Sequence, residues 1–262
     1  MKLSLIDLYK KKELNQVSKF LHFMKKMEVS EIIDSYRQLR DEDAPQRQNS
    51  YFVDTHNGIP SSGSSSNRNE EHLAIALFNA SREKKTFKLP DSRVLKFIDY
   101  QTPLKAKQSD KGIGKVDLFG VIDNKLPAVI ELEIESGNGG QADTPLRALL
   151  EGLAYCAIIE KNLPKISDDA FNKFDKEFND ELTLIVLAPD EYWKRYLQNK
   201  NAGDWFPEIK KISNTLKEEL NIDIILLAMT DSKFKMGLEG VPAKLIGNCD
   251  LMLVETMDLS LK

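Results

Sequence analysis

Apolar side chains recur three and four positions apart through the N-terminal residues. Leu14, Val17, Phe20, Leu21, Met24 and Met27 form one set, and Ile32, Ile33, Tyr36 and Leu39 form a second. A period near that of a helix places such residues on one stripe, so residues 1–42 are predicted to be helical. The pattern then stops. Residues 43–68 hold Pro45, Gly58, Pro60 and the run Ser61, Ser62, Gly63, Ser64, Ser65, Ser66. That is the composition of a flexible linker or mobile loop, and a domain boundary is expected there.

From residue 69 to 262 the periodicity alternates between helix and strand. A helix is predicted over 70–80, with Leu73, Ala76, Leu77 and Ala80 on one side. A strand over 94–104, led by Leu95, Phe97, Ile98 and Tyr100, precedes two more over 115–122 and 126–134, joined by the turn-like Asp123-Asn124-Lys125. Asp143-Thr144-Pro145 starts a helix, with Pro145 at its first position, that runs through Leu149, Leu153 and Ile158. The continuous apolar run 182–188 reads as a buried strand of the parallel type. Helices over 192–197 and 207–220, a strand over 222–229 and an edge strand over 251–255 complete the chain. Helix, three strands, helix, strand is the order of an α/β core.

Composition narrows the class. With 262 residues, 41% hydrophobic and 30% charged, the chain reads as an ordinary globular protein. No apolar run approaches the ~20 residues of a membrane helix, and Lys10, Lys11 and Lys12 interrupt the N-terminus where a signal peptide needs an apolar core; a cytoplasmic protein with no membrane partner is expected. Cys156 and Cys249 lie in apolar surroundings without metal-ligand spacing and are expected to be free thiols. His22, His56 and His72 are scattered, and no Gly-x-Ser-x-Gly is present, so neither a His-rich zinc site nor a serine hydrolase is indicated. The net charge of −4 means that any nucleic-acid contact must be a local basic surface.

The candidate chemistry lies in two strands. Side chains alternate faces along a strand, so Lys115, Asp117 and Phe119 share one face, and Val129, Glu131 and Glu133 share one face of the next. In a hairpin centred on Asn124, Asp117 sits opposite Glu131; centred on Lys125, it sits opposite Glu133. Either register gathers three carboxylates. Like charges opposed across strands are destabilising, and burial makes this worse. A divalent cation such as Mg²⁺ (or Mn²⁺) removes the penalty and can activate water beside a phosphodiester. The same alternation also describes a solvated edge strand with its acids outward. An acid inside Val116-Asp117-Leu118-Phe119, and the helix that follows, weigh toward a built site.

These residues resemble a known family. Ile113-Gly114-Lys115-Val116-Asp117-Leu118-Phe119-Gly120-Val121, a short hairpin, Ala128-Val129-Ile130-Glu131-Leu132-Glu133, and then Thr144-Pro145-Leu146-Arg147-Ala148-Leu149-Leu150-Glu151-Gly152-Leu153-Ala154-Tyr155 look like the core of the PD-(D/E)XK nucleases, across roughly residues 69–190. The resemblance implies a restriction-endonuclease-like core, αβββαβ with a mixed sheet flanked by helices, carrying here an N-terminal helical extension. It implies divalent-metal-dependent phosphodiester hydrolysis, with Asp117 and Glu131 as the motif acids. Glu70 or Glu71 would supply the acid of the preceding helix. Val116 stands where the motif name has Pro, and Glu133 stands where it has Lys, as metal ligand or base; Lys115 is the candidate for a relocated positive charge. In related nucleases a Gln-x-x-x-Tyr pair on the next helix faces the active site, and Glu151 with Tyr155 resembles it. Arg147 falls on the same helix face.

Further segments suggest contacts with nucleic acid. Tyr192-Trp193-Lys194-Arg195-Tyr196 interleaves aromatic and basic residues, as a base-stacking surface or as an amphipathic helix with its rings turned inward. Lys105 and Lys107 could meet a phosphate backbone or end a solvated loop. Gly137-Asn138-Gly139-Gly140 lacks the Lys-Ser/Thr of a P-loop and reads as a mobile turn. The basic N-terminal helices could hold DNA, a partner or a second subunit in a homodimer. Three functions follow: a metal-dependent nuclease acting on DNA in preference to RNA; a catalytically degenerate relative that binds nucleic acid or a protein partner without cleavage; and an unrelated α/β interaction protein with an acidic edge strand.

Overall fold

The computed structural model describes residues 4–60, 69–134, 142–230, 233–237 and 240–257. Its helices are α1 (Leu5–Tyr9), α2 (Phe20–Lys26), α3 (Val29–Gln38), α4 (Asn69–Arg82), α5 (Pro145–Phe174), α6 (Asp190–Leu197) and α7 (Phe206–Leu220). Its strands are β1 (Phe87–Lys88), β2 (Val94–Pro103), β3 (Lys115–Ile122), β4 (Leu126–Leu132), β5 (Leu182–Pro189), β6 (Ile222–Thr230), β7 (Lys233–Lys235), β8 (Lys244–Ile246) and β9 (Asp250–Leu253). The class is α/β, with a mixed sheet flanked by helices. Strands β1 to β4 pair antiparallel in chain order, β4, β5 and β6 run parallel, and β9 closes the far edge antiparallel to β6.

The β3–β4 hairpin sets the register. Ile122 pairs with Leu126 and Leu118 with Ile130, so the hairpin is centred on Asn124. Asp123 and Asn124 both take left-handed φ, +49° and +65°, which these residue types tolerate best after glycine. Continued one residue past the last pair, this register sets Asp117 opposite Glu131.

The sheet is strongly curled. Arg93, before β2, reaches Asp223 in β6 at 3.2 Å, although four strand spacings on a flat sheet would separate them by ~19 Å. The concave face wraps around α4. Every residue of that helix from His72 to Ala80 is buried, because Leu95, Phe97, Leu118, Ile130, Ile185 and Leu227 of the sheet surround it together with Ala243 beside β8. The one-sided burial expected at Leu73, Ala76, Leu77 and Ala80 is therefore too narrow. A helix enclosed on all sides has no polar face to show.

The other face carries α5 and the N-terminal helices. Leu5, Tyr9, Leu14, Phe20, Met24, Ile32, Ile33, Tyr36 and Leu39 belong to the same apolar core as Leu149, Leu153, Ile158 and Val186. Tyr36 and Arg40 both bind the Glu160 carboxylate of α5, and Phe20 packs edge-on against Tyr196. The apolar stripes of these helices thus pack within the chain. The stretch expected as a linker is packed in part, with residues 48–50 exposed and Gly58 and Pro60 buried. Tyr51 and Phe52 are buried, Phe52 lies edge-on to Phe119 and Phe174, and the Tyr51 amide donates to Asp169; the serine run lies outside the described residues. Helix α5 continues beyond Ile158 through Pro164, because Leu163, Ile166 and Ala170 stay buried. Cys156 and Cys249 are both buried and free. No described helix is long and apolar enough to cross a membrane.

Deleting residues 1–42 would uncover the α5 face that Leu5, Phe20, Ile32 and Tyr36 now cover. Exposing that much core costs about 1.5–3 kcal/mol per large side chain, more than a domain has in reserve. The truncated chain is expected to lose its cooperative urea transition and aggregate. A transition with the midpoint of the full chain would show instead that the N-terminal helices are a separate unit.

Candidate active site

The site forms where β3 begins and β4 ends, which is also the carboxyl end of the parallel strands. Asp117 shares the α5-facing side of β3 with Phe119, and Glu131 and Glu133 share that side with Val129. Val129 and Phe119 lie in the α5 core, whereas Leu118 and Ile130 lie in the α4 core. Glu131 and Glu133 are 6% and 8% exposed, which excludes a solvated edge strand with its acids outward. Asp117 is half-buried. Helix α5 crosses close above them because Gly152 leaves room: a Cβ there would stand 3.1 Å from Glu131 Cγ and 2.4 Å from Leu184 Cδ1.

The oxygens are unequally satisfied. Asp117 Oδ1 accepts from Gln101 Nε2 at 3.0 Å, and its Oδ2 accepts from the Leu132 amide at 3.1 Å. Glu133 Oε2 accepts from the Asp143 amide at 3.1 Å. Glu131 Oε1 is buried with no hydrogen-bond partner among the described residues. On α5, Tyr155 donates to Glu151 Oε1 at 2.6 Å. Gly114 passes directly over that phenol, since a Cβ at this position would fall 2.2 Å from Tyr155 Oη. Arg147 pairs with Asp143, while its Nε is buried without a partner among the described residues.

Electrostatics link these groups. Burial pushes the Asp117 carboxyl up to about 7, assisted by the charges of Glu151 and Asp143 and opposed by the Leu132 amide. Burial, then Asp117 and Glu151, drive Glu131 well above the usual carboxylate range. Glu133 is driven up by burial and then Asp143, and Glu70 by burial and then Asp117. Glu151 and Asp143 are raised by burial and partly relieved by Arg147. Of the two acids opening α4, Glu70 therefore joins the cluster, whereas Glu71 acts on His72 and Tyr100.

Lys115 is exposed at the start of β3, and Lys105 and Lys107 are exposed in the loop after β2. That loop lies at the same end of the sheet, since Pro103 pairs with Lys115. Of the two readings of residues 192–196, the amphipathic helix with its rings turned inward holds: Tyr192, Trp193 and Tyr196 are fully buried, with Trp193 donating to the Leu227 carbonyl and Tyr192 to that of Asp143. Residues 137–140 lie outside the described residues.

Sequence reasoning missed Asn15, Gln101, Asp143 and Tyr9. Asn15 Nδ2 donates to Asp143 Oδ1 at 2.6 Å, and Asn15 Oδ1 accepts from the Thr144 amide. Tyr9 donates to the Gly112 carbonyl. These residues come from separate elements, and no local spacing signals them. Asp143 could have been found as the acid before the predicted helix start.

Among the described residues, no three carboxylate, imidazole or thiol groups already stand as a metal-ligating set. The donors are nonetheless all hard oxygens, one is an orphaned buried carboxylate oxygen, and the cluster carries six acids near one guanidinium. That chemistry fits Mg²⁺ or Mn²⁺ and not a soft metal. No family model, no curated protein and no solved structure matches the chain.

A raised carboxyl holds a proton in the folded state that the unfolded chain has already released. Its stabilising contribution is complete below about pH 4 and is lost as pH rises through about 7 for Asp117. Without divalent ions, the thermal midpoint is expected to fall as pH rises across that window. Asp117→Asn is expected to flatten the fall and to unfold at a higher temperature than the parent at neutral pH, and added Mg²⁺ is expected to stabilise the parent more than the variant. An identical pH slope in parent and variant would remove the claim that this carboxylate is strained.

Proposed function

We propose that the protein is a divalent-metal-dependent nuclease with a restriction-endonuclease-like core, hydrolysing phosphodiester bonds in DNA in preference to RNA. The observation that carries this reading is the placing of Asp117, Glu131 and Glu133 on one face of two adjacent strands, with no ion pair to any of the three among the described residues. The order α4, β1, β2, β3, β4, α5, β5, in which β1 is only two residues long, supports it, since a helix supplying Glu70 precedes the hairpin and a helix supplying Glu151 and Tyr155 follows it.

In this reading Asp117 and Glu131 hold Mg²⁺ or Mn²⁺, with Glu133 beside them and Glu70 completing the acid set. The bound ion supplies an acidified water and stabilises charge on the phosphodiester. The chain's own residues do the rest. Gln101 and the Leu132 amide orient Asp117 from both sides. Glu133 lies where burial and the charge of Asp143 raise its proton affinity above that of an exposed carboxylate, which suits it to accept a proton. Arg147, on the inner face of α5, can meet a substrate phosphate with the guanidinium atoms that Asp143 does not use. Lys115, Lys105 and Lys107 border the same end of the sheet, where a phosphate backbone would approach.

One observation favours the second reading, a degenerate relative that binds without cutting. Glu133 occupies the position where the resembling family carries lysine, and its carboxylate is already held by the Asp143 amide.

Nicking of supercoiled plasmid in Mg²⁺ or Mn²⁺ separates the two. Asp117→Ala and Glu131→Ala are each expected to lower the rate by roughly 100-fold or more, with Tyr155→Phe milder. A parent that binds DNA but never nicks it, and gains nicking on Glu133→Lys, would establish the degenerate reading. Nicking that survives both alanine variants would rule out this site.

A further inference from the structure

Beyond the acidic cluster, the outer edge of β2 borders a cleft of about 460 Å³ that shares no residue with that cluster. Strand β1 pairs only with Val94 and Leu95, so the edge from Lys96 onward is closed by side chains, such as the Ser81 hydroxyl that accepts from the Phe97 amide. Three cations line the cleft, Arg82, Lys96 and Lys173, against one carboxylate, the exposed Asp54. Two of these cations are held in place. Arg82 lies 5.6 Å over the Phe78 ring and donates to the Asn57 carbonyl. Lys173 lies 5.7 Å from the Phe174 ring centre, donates to the carbonyls of Phe52 and Val53, and pairs with Asp54.

The same cleft holds a histidine with an unusually complete support. His56 Nδ1 lies 2.7 Å from Asp99 Oδ1, and Asp99 is 2% exposed with its other oxygen accepting from the Thr102 hydroxyl at 3.0 Å. The imidazole stacks on Tyr100 at 4.5 Å, and the Tyr100 hydroxyl accepts from the Gly58 amide. A buried carboxylate bonded to one ring nitrogen fixes the orientation of the other. Nε2 is left as the polar atom of the ring that has no partner among the described residues, on a side chain that lines the cleft. The carboxylate sits where the β2 register shifts, between Phe97 and Asp99, and such irregularities re-aim side chains.

Clamped cations, an oriented imidazole and an apolar lining from Phe78, Ile98 and Phe174 call for an anion with several acceptor oxygens. We propose that this cleft binds a phosphate group, held by Arg82, Lys96 and His56, with the aromatic lining available to a nucleoside attached to it. Guanidinium and ammonium donors recognise phosphate oxygens more strongly than neutral groups do. The proposal does not depend on the acidic site being a nuclease.

The test is titration of the full chain, in divalent-free buffer, with inorganic phosphate, AMP and a short single-stranded oligonucleotide lacking terminal phosphates. Binding is read by calorimetry and by the imidazole resonances of His56. At least one probe is expected to saturate and to shift those resonances. Lys96→Gln and Arg82→Gln are each expected to weaken that binding by about tenfold or more, Lys96→Arg to retain most of it, and Asp117→Asn to leave it unchanged. Equal affinity for phosphate and AMP would support a free-phosphate site. Tighter AMP would support a nucleotide, and saturation by the oligonucleotide alone a backbone phosphate. Thermal unfolding of each variant checks that the fold persists. No saturation by any probe up to about 10 mM, or binding unaltered in folded Lys96→Gln and Arg82→Gln, would overturn the proposal.

Discussion

Three carboxylates turned into a protein interior are the constraint around which this structure is arranged. Each buried anion costs several kcal/mol unless it is paired or takes up a proton, and opposing them across neighbouring strands adds repulsion. The chain answers with partial measures. Gln101 and the Leu132 amide serve Asp117, the Asp143 amide serves Glu133, and Arg147 offsets Asp143 and Glu151. Glu131 Oε1 receives no hydrogen bond from the described residues. A fold selected for stability alone would replace such a cluster with apolar side chains of similar volume.

The surrounding architecture keeps water away from this cost instead of removing it. Gly152 lets α5 descend onto Glu131, and Gly114 lets the strand entrance close over Tyr155. The N-terminal helices complete the enclosure, since Tyr9 and Asn15 reach the Gly112 carbonyl and Asp143. What looks along the chain like an extension is therefore a wall of the site. The cleft at the β2 edge shows the opposite electrostatics, with cations held over aromatic rings, so acidic and basic surfaces are kept apart on one small sheet.

Much of the frame was legible because it rests on local pattern. The β3 boundaries follow from alternation, and a hairpin turn at residues 123–125 follows from the turn chemistry of Asp123-Asn124-Lys125. Of the two registers that sequence allowed, the structure selects the one that opposes Asp117 and Glu131. The start of α5 at Pro145 was equally clear. Its end was not, because Pro164 reads as a stop while Leu163, Ile166 and Ala170 pack well enough to carry the helix past it. The burial of α4 on every side, the aromatic residues of α6 and the packing of Tyr51 and Phe52 depend on partners distant in sequence. So do Gln101, Asn15 and Tyr9, whose places in the site arise only when β2 and the N-terminal helices come together around the hairpin. Choosing Glu70 over Glu71 likewise needed the orientation of α4 against the sheet.

The central claim is that a divalent cation is what makes this crowding of acids tolerable. Diffraction from crystals soaked in Mn²⁺, recorded for anomalous signal, addresses it most directly. A single strong peak within coordination distance of Asp117 and Glu131, with Glu133 or Glu70 completing the ligand set, is the result expected. A map without a peak there, or with manganese only at surface acids while Glu131 and Glu133 keep their present surroundings, would contradict it.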